Sequence, residues 1–318
     1  MHIFVSGSLA YDRIMDFPGR FADHILPDKI HILNVCFTVN GLAEKFGGTA
    51  GNIAYNLSLL GEKPEILATA GKDFERYAQW LGHLGLPLTG IRVITAEFTA
   101  GAYITTDKGD NQITGFNPGA MRYPSGYTFD GIRVDEALAI VSPGNIEDML
   151  TYSRAFKDRG VPYIFDPGQT ITALSGAQLA EMMTGAALLI SNDYELEMIM
   201  KPTGFDRSAI LRRAAGLITT LGENGALLVT AAGETRIPAV PVARVADPTG
   251  AGDAFRAGLL KGLVTGRPLA VAARMGAVCA SFAVECLGTQ EHVFTLEGFW
   301  DRFHTSFGDG RDSAALGA

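Results

Sequence analysis

Near its C-terminal end the chain carries the stretch Asp247-Pro-Thr-Gly-Ala-Gly-Asp253-Ala-Phe-Arg256, which opens an apolar, helix-prone segment. Gly250 and Gly252 allow backbone conformations that are closed to other residues, so successive N–H groups can point at one anion. A helix that begins here adds the positive end of its dipole to the same place. Asp253 would then lie within reach of a hydroxyl that approaches the anion. Phosphoryl transfer to an alcohol requires this combination of an anion site and a proton acceptor. The alternative is a glycine-rich turn with an aspartate cap at a helix N-terminus.

The composition argues against several classes of protein. The chain has 318 residues, of which 47% are hydrophobic, which fits one large α/β domain with an embellishment as well as two domains. Its net charge of −8 disfavours a nucleic-acid partner, because such binders are basic. Three cysteines without a Cys-x-x-Cys pair are too few for a disulfide framework. With no signal-like N-terminus and no apolar run of about 18 residues, we expect a cytoplasmic protein without a membrane partner.

Short β-rich runs alternate with helical patterns along the chain. We expect strands at 3–8, 66–70, 137–141, 163–166, 187–191, 217–220 and 226–230. We expect helices at 50–60, 146–157, 176–183, 194–200 and 207–215. Repeated strand–helix–strand units predict an α/β fold, with a mostly parallel sheet flanked by helices, in a single domain over residues 1–318.

Two segments, at about 13–46 and 101–121, interrupt this rhythm. The second contains two β-rich runs around Lys108-Gly-Asp-Asn111, which is typical of a hairpin turn. Together the segments predict a small β-rich lid over one end of the sheet, and surface hairpins without a function are the alternative. The small, polar tail 308–318 is expected to fray.

A second glycine-rich motif, Gly47-Gly-Thr-Ala-Gly-Asn52, precedes a predicted helix. Its glycines allow the backbone to approach a ligand closely, and Asn52 can both donate and accept hydrogen bonds at a sugar edge. Asp12 follows the first strand, where a carboxylate can accept from two vicinal hydroxyls. Tight turns into a helix, and a turn aspartate, are the structural alternatives.

Two further motifs lie in the second half of the chain. Asn192-Asp-Tyr-Glu195 follows a predicted strand, and its oxygens can hold Mg²⁺ through water, although a helix cap would have the same pattern. Thr220-Leu-Gly222-Glu-Asn-Gly225 joins two predicted strands and by itself indicates only a turn. The motifs Gly-x₄-Gly-Lys-Ser/Thr, Gly-x-Gly-x-x-Gly, Gly-x-Ser-x-Gly and His-Glu-x-x-His do not occur, which disfavours P-loop kinases, dinucleotide enzymes, elbow-type hydrolases and zincins.

Taken in order, these motifs resemble those of the ribokinase-like (PfkB-type) sugar and nucleoside kinases, from Gly7 to about Glu291. Within the family, segments such as Gly7–Asp12, 17–21, 24–28, 112–121, 165–169 and 192–195 are most similar to bacterial adenosine and purine nucleoside kinases. The resemblance implies ATP-dependent phosphorylation of the 5′-hydroxyl of a purine nucleoside. It also implies Mg²⁺ and a monovalent cation, usually K⁺, as cofactors.

The resemblance assigns roles to individual residues. Asp253 is the base, and the amides of Gly250, Ala251 and Gly252 form the anion hole. Ser8, Asp12, Gly48 and Asn52 bind the substrate, and Tyr103, Phe116 and Gln169 are candidates for the slot of the nucleobase. The ATP-binding residues are Asn192, Thr220, Gly222 and Gly225, and Glu195 binds Mg²⁺ through water. The monovalent cation is bound by Asp247, Thr249 and the carbonyls of Ala283, Cys286 and Gly288.

Several points stay open at this level. Ala102 stands where an aromatic residue is expected in actinobacterial adenosine kinases, so inosine and guanosine remain possible substrates beside adenosine. A ribokinase- or fructokinase-like sugar kinase is the alternative enzyme, and a catalytically silent ligand-binding homologue is the alternative outside catalysis. The exposed edge of the predicted hairpin favours a homodimer joined through the lids, with Phe116 near the neighbouring site.

Overall fold

The strands form two separate sheets. The structure, a computed structural model, describes residues 1–308, so the predicted tail lies outside the described residues apart from Gly308. The strands are β1 His2–Ser6, β2 Ala10–Asp16, β3 Leu42–Gly47, β4 Glu65–Gly71, β5 Ile91–Ile94, β6 Ala100–Thr106, β7 Gln112–Asn117, β8 Ala137–Val141, β9 Tyr163–Phe165, β10 Leu188–Asn192, β11 Gly216–Thr220, β12 Ala226–Thr230 and β13 Gly233–Ile237. The helices are α1 Thr49–Leu59, α2 Glu75–His83, α3 Ile146–Arg159, α4 Gly176–Met183, α5 Asp193–Thr203, α6 Arg207–Leu211, α7 Ala251–Val264, α8 Leu269–Ala283 and α9 Leu296–Phe307.

The large sheet has nine strands in the order β13-β12-β11-β10-β9-β8-β1-β4-β5. Its seven strands from β11 to β5 pair in parallel, and β12 and β13 extend it antiparallel. Neighbouring residues of β1 point to opposite faces of the sheet: Val5 packs with α1, α7 and α8, whereas Phe4 packs with α3 and α4. Burial on both faces explains the continuous apolar runs of the parallel strands. The predicted α/β fold with a mostly parallel sheet is confirmed.

The second sheet is the predicted lid. It has four strands in the order β3-β2-β6-β7, and it begins at Ala10, three residues before the expected start of the segment. The carboxylate of Asp107 accepts from the amides of Gly109 and Asn111 and thereby shapes the β6–β7 turn. Asp110 has a φ of 59° there, a left-handed conformation that aspartate tolerates. The hairpin prediction is therefore confirmed, and β7 is an edge strand.

Some element bounds differ from the expectation. The predicted helix at 207–215 ends at Leu211, because the Ala215 amide donates to the Ala186 carbonyl and draws the chain into β11. The sequence did not single out α2, α8, α9, β5 or β13. Helix α8 is buried over most of its surface against α7, so it lacks the apolar–polar alternation by which a surface helix is found. Within residues 1–308, none of the helices has the length and apolar character that crossing a membrane requires.

Candidate active site

The N-terminus of α7 presents free backbone amides. Gly250 caps the helix with a φ of 80°, a left-handed conformation that favours glycine. The Ala251 amide donates to the Pro248 carbonyl at 3.2 Å, whereas the Gly252 and Asp253 amides have no backbone acceptor among the described residues. Unpaired N–H groups and the helix dipole make such an end a site for an anion. Of the amides predicted for the anion hole, that of Ala251 is therefore already engaged, and the free donors include Gly252 and Asp253.

Asp253 has the acidity expected of a base at neutral pH. Burial raises the pKa of its carboxyl to about 6. The positive charge of Arg256 and a hydrogen bond from Asn52 lower this pKa, and the negative charges of Asp166 and Glu195 raise it. A base is most effective when its pKa lies near the operating pH. Asp253 is thus mostly ionised at pH 7 and still basic enough to take a proton from a hydroxyl.

A buried ion pair lies beside the N-terminus of α7. The Arg256 guanidinium donates through Nε and Nη2 to the two carboxylate oxygens of Asp166, with Nη2 and Oδ1 2.8 Å apart. Arg256 is 7% exposed and Asp166 1%. A Cβ added to Gly252 would lie 2.7 Å from Arg256 Nη1, so a positive charge adjoins the free amides. This pair was not predicted from the sequence. An arginine in the apolar run of α7 was the available signal, because buried arginines are almost always paired.

Helix α1 places Asn52 against Asp253. Asn52 Nδ2 donates to Asp253 Oδ2 at 2.8 Å. The chain enters α1 through Gly48, which has a φ of 88° and where a Cβ would lie 2.6 Å from the Ser8 carbonyl oxygen. Ser8 Oγ accepts from the Thr49 amide at 3.0 Å. Ser8 and Gly48 therefore build the start of the helix, and Asn52 is the residue of this motif that reaches Asp253.

The lid brings Asp12 towards the same site. Asp12 pairs with Ala102 across β2–β6 and Ala102 with Phe116 across β6–β7, and side chains of directly paired residues share one face. A Cβ added to Gly47 would lie 2.7 Å from Asp12 Oδ2, so the carboxylate adjoins the segment that leads into α1. Burial, and then the negative charge of Asp247, raise the pKa of Asp12. Phe116 lies on this face and is 53% exposed.

Tyr103 lies on the face of the lid sheet opposite to that of Phe116. It follows Ala102 in β6, and side chains alternate between the faces of a sheet, so Tyr103 lies on the face opposite Asp12. There its hydroxyl accepts from Arg13 Nη1 at 3.1 Å, and Arg13 also pairs with an aspartate of the β4–α2 loop. Gln169 is exposed in the short 3₁₀ turn Gly168–Ala173, which follows β9. The structure thus places Phe116 on the face of Asp12 and Tyr103 in a polar network on the other face.

The residues predicted for ATP lie at the ends of β10 and β11, where Asn192 pairs with Thr220. Asn192 and Glu195 form a capping box on α5: Asn192 Oδ1 accepts from the Glu195 amide at 2.7 Å, and Glu195 Oε2 accepts from the Asn192 amide at 2.8 Å. Burial raises the pKa of Glu195. Gly222 has open space around it, whereas a Cβ on Gly225 would lie 2.0 Å from a carbonyl oxygen at the end of β13. Asn192 and Glu195 thus form a helix cap, and Gly222 to Gly225 form a tight turn. The capping box uses Glu195 Oε2 and leaves Oε1 free to bind a ligand.

The two loops predicted for a monovalent cation are in contact. Asp247 accepts from the Thr249 amide at 2.9 Å and from the Gly288 amide at 3.0 Å. Burial raises the pKa of Asp247, but hydrogen bonding from the side chain and amide of Thr249 and from the amide of Gly288 outweighs burial, and the pKa is lowered. The Ala283 carbonyl accepts from the Cys286 amide at 3.2 Å. Among the described residues, no three His, Cys, Asp or Glu side chains are grouped to hold a metal ion, so a cation here would depend on carbonyl oxygens and one carboxylate.

The fold and the site together define a class of enzyme, the α/β kinases that transfer a phosphoryl group from ATP to a hydroxyl acceptor. Comparison with protein families gives the same result: the sequence model of the pfkB family carbohydrate kinases matches residues 19–295. The chain belongs to this family. The predicted family, the ribokinase-type fold and the kinase activity are thereby confirmed.

Nucleoside kinases are among the proteins that this chain resembles. The nucleoside kinase of Methanocaldococcus jannaschii is 31% identical over 272 residues, which cover 85% of this chain and 87% of that protein. The structure of Burkholderia thailandensis nucleoside kinase in complex with inosine is 40% identical, has a TM-score of 0.84, and covers 96% of this chain and 98% of that one. The crystal structure of the Methanocaldococcus jannaschii nucleoside kinase has a TM-score of 0.86 at 28% identity, with 96% and 99% of the two chains covered.

Proposed function

We propose that this kinase phosphorylates the 5′-hydroxyl of a purine nucleoside, with ATP as the donor and Asp253 as the base. One observation carries the proposal: a carboxyl with a pKa of about 6 adjoins both the free amides of α7 and the Asn52 side chain. The resemblance to nucleoside kinases, including one in complex with inosine, supports a nucleoside as the acceptor.

In the proposed reaction the ribose lies between the lid and α1. Asp12 accepts from the vicinal ribose hydroxyls, and Asn52 has a second Nδ2 proton with which it can bind the sugar. The 5′-hydroxyl then faces Asp253, which removes its proton as the oxygen attacks the γ-phosphorus of ATP. The free amides of Gly252 and Asp253 bind the charge that develops on the transferred group, and the guanidinium of Arg256 strengthens the local positive potential.

The residues present fit the cofactors implied by the family. Glu195 has one carboxylate oxygen that is not used by the capping box and would bind Mg²⁺ through water. Asp247, Thr249 and the carbonyls of the Ala283–Gly288 loop would hold K⁺, since the two loops already meet through Asp247 and Gly288. When bound, Mg²⁺ neutralises charge on the ATP phosphates.

We also propose a cytoplasmic location, which the few, unpaired cysteines of the chain fit.

The nucleobase is proposed to lie near Phe116, Ala102 and Gln169. Ala102 pairs with Asp12 in the lid sheet, and its small side chain would widen the slot of the base, so inosine and guanosine belong in the test beside adenosine. We also propose a homodimer joined through the lids. Phe116 and Ile14 share the Asp12 face of the lid sheet and are 53% and 36% exposed, and a second lid would cover them.

A substrate screen tests this function. ATP would be incubated with adenosine, inosine, guanosine, ribose and fructose, and the product identified by the ³¹P signal of a 5′-monophosphate. We expect a purine nucleoside to be phosphorylated, and Asp253→Asn to reduce kcat by about 10²–10⁴-fold with little change in nucleoside affinity. Phosphorylation of ribose or fructose alone would refute the nucleoside proposal. An Asp253→Asn enzyme with more than about a third of the wild-type turnover would refute the role of Asp253.

A further inference from the structure

We propose that a directed chain of hydrogen bonds from Trp80 through Gln290 fixes the Asn52 amide so that its N–H, rather than its carbonyl, faces Asp253. Trp80 and Gln290 would then be positioning residues that act through Asn52 on the base. The inference rests on the proposed function of Asp253, and the experiment below separates the failure of one from the failure of the other.

The chain of hydrogen bonds links four segments that are distant in the sequence: α2, the loop between α8 and α9, α1 and α7. Trp80 Nε1 in α2 donates to Gln290 Oε1 at 2.9 Å, and Gln290 Nε2 donates to Asn52 Oδ1 at 3.0 Å. Asn52 Nδ2 then donates to Asp253 Oδ2 at 2.8 Å. Gln290 and Asn52 are each 5% exposed, so water offers few alternative partners. Each side-chain amide is therefore held at both of its ends.

The direction of the chain follows from the chemistry of Trp80. An indole N–H can only donate, so the end of Gln290 that meets it must be the carbonyl oxygen. The amide nitrogen of Gln290 then faces Asn52, and it can bond there only to an oxygen. Asn52 consequently turns its own nitrogen towards Asp253. The indole donor at the far end is thus sufficient to set the orientation of two amides.

Tyr77 fixes the same direction independently. Its hydroxyl donates its single proton to the Gly47 carbonyl at 2.8 Å, and a carbonyl can only accept. The Tyr77 oxygen must therefore accept from its other neighbour, Gln290 Nε2, which is 2.8 Å away. Burial raises the pKa of Tyr77, so the hydroxyl keeps its proton. The two protons of the Gln290 amide are both used, one on Asn52 and one on Tyr77.

Close packing holds Tyr77, Gln290 and Trp80 in these positions. A Cβ added to Gly51 would lie 1.9 Å from the Tyr77 hydroxyl and 3.1 Å from Gln290 Nε2. The indole of Trp80 stacks on the ring of Phe46, with centroids 5.6 Å apart and planes at 5°. Gly51, within the glycine motif before Asn52, therefore makes space for the tyrosine, and the stacking holds the first donor in place.

The orientation of Asn52 matters because Asp253 is a carboxylate. An N–H that donates to it favours the ionised form, whereas a carbonyl oxygen in the same place would repel it and favour the protonated form. The other charged groups that act on Asp253 are Arg256 on α7, Asp166 after β9 and Glu195 on α5. None of these belongs to the chain from Trp80, so variants of the chain leave them in place.

The test measures the ionisation of Asp253 directly in the unliganded protein. The ¹³C carboxyl signal of Asp253 would be assigned as the one absent in Asp253→Asn and titrated with pH. Gln290→Met removes the relay while keeping the size of the side chain, and we expect it to raise the pKa of Asp253 by about one unit. Gln79→Met, on the exposed face of α2, is the matched control and should leave the titration unchanged.

The two anchors give a second, independent comparison. Trp80→Phe alone should titrate like the wild type, because Tyr77 still fixes Gln290. Trp80→Phe with Tyr77→Phe removes both anchors, and we expect the rise of about one unit again. Trp300→Phe, which removes the other tryptophan of the chain, is the control for the loss of an indole. This comparison decides the question if Gln290→Met does not fold.

Kinetics distinguishes a positioning role from a structural one. In Gln290→Met the acidic limb of the kcat profile should move up by about one unit, so that activity is reduced about tenfold at pH 5.5 and approaches wild type at pH 8.5. An Asp253 titration within about 0.3 unit of wild type in both Gln290→Met and the double variant would overturn the proposal. A loss that is equal at every pH would do the same. Full activity of Asp253→Asn would instead refute the base, whatever the titrations show.

Discussion

Removal of the buried charge at Arg256 should affect stability and catalysis in separable ways. Arg256→Met leaves the Asp166 carboxylate, 1% exposed, without its partner. Breaking a buried ion pair from one side costs about 3–5 kcal/mol, a large part of the stability of an ordinary domain. Arg256 also lowers the pKa of Asp253, so its loss should move that pKa above about 6. At pH 7 less of the base would then be ionised.

The double variant Asp166→Asn with Arg256→Met separates the two effects. It removes both charges, so the free energy of unfolding in urea should recover most of the loss, since a neutral pair of similar volume carries no uncompensated charge. The kcat should remain reduced by about tenfold or more, because the positive potential beside the free amides is gone. Recovery of kcat together with stability would show that Arg256 serves the fold alone and would refute this reasoning.

Three further predictions concern the sugar, the lid and pH. A 2′-deoxynucleoside should be used about tenfold less efficiently than its ribonucleoside in kcat/KM, because Asp12 loses a partner; equal use would remove Asp12 from ribose binding. Phe116→Ala should raise KM for the nucleoside more than for ATP, and light scattering should find a dimer in the wild type; a monomer with unchanged kinetics would exclude the lid dimer. Burial lowers the pKa of His292 from 6.5 to about 4. The contribution of this neutral side chain to the free energy of unfolding is therefore fully present above pH 6.5, and it should fall by about 3 kcal/mol as the pH approaches 4. Urea unfolding at several pH values should give this slope, and His292→Gln should flatten it.

The sequence predicted best those features that depend on neighbouring residues. The start of α7 at the glycine-rich stretch, and the position of Asn192 and Glu195 at the start of α5, follow from local backbone requirements and from capping. Strands that are buried on both faces were found from their apolar runs, and the lid was found from the interruption of the pattern. Such features are encoded within a few residues.

Contacts between distant residues could not be predicted in this way. Arg256 and Asp166 are 90 positions apart, and Gln290 and Asn52 are 238 positions apart. Nothing in a single sequence links such pairs, because their proximity depends on the order of the strands and on the packing of α1, α2 and α7. Tyr103 was grouped with Phe116 because both lie in the hairpin, although the alternation of side chains along β6 and β7 places them on opposite faces of the lid. Which of these faces adjoins the site is a long-range property that the hairpin does not encode.

Gly252 adjoins both the proposed phosphate site and the buried guanidinium of Arg256, so a substitution there affects both. The sequence attributes Gly252 to the anion hole, so loss of activity in Gly252→Val would be taken as evidence for that site. A Cβ at this position would also lie 2.7 Å from Arg256 Nη1 and would displace the buried guanidinium. Gly252→Ala should therefore destabilise the wild type, and should do so by at least about 1 kcal/mol less when Arg256 is already methionine and Asp166 asparagine. The coupling between Gly252 and the ion pair is measured from the unfolding free energies of the wild type and of the Asp166→Asn, Arg256→Met variant, each with and without Gly252→Ala. Equal costs of Gly252→Ala in the two backgrounds would mean that Gly252 is required only for phosphate binding.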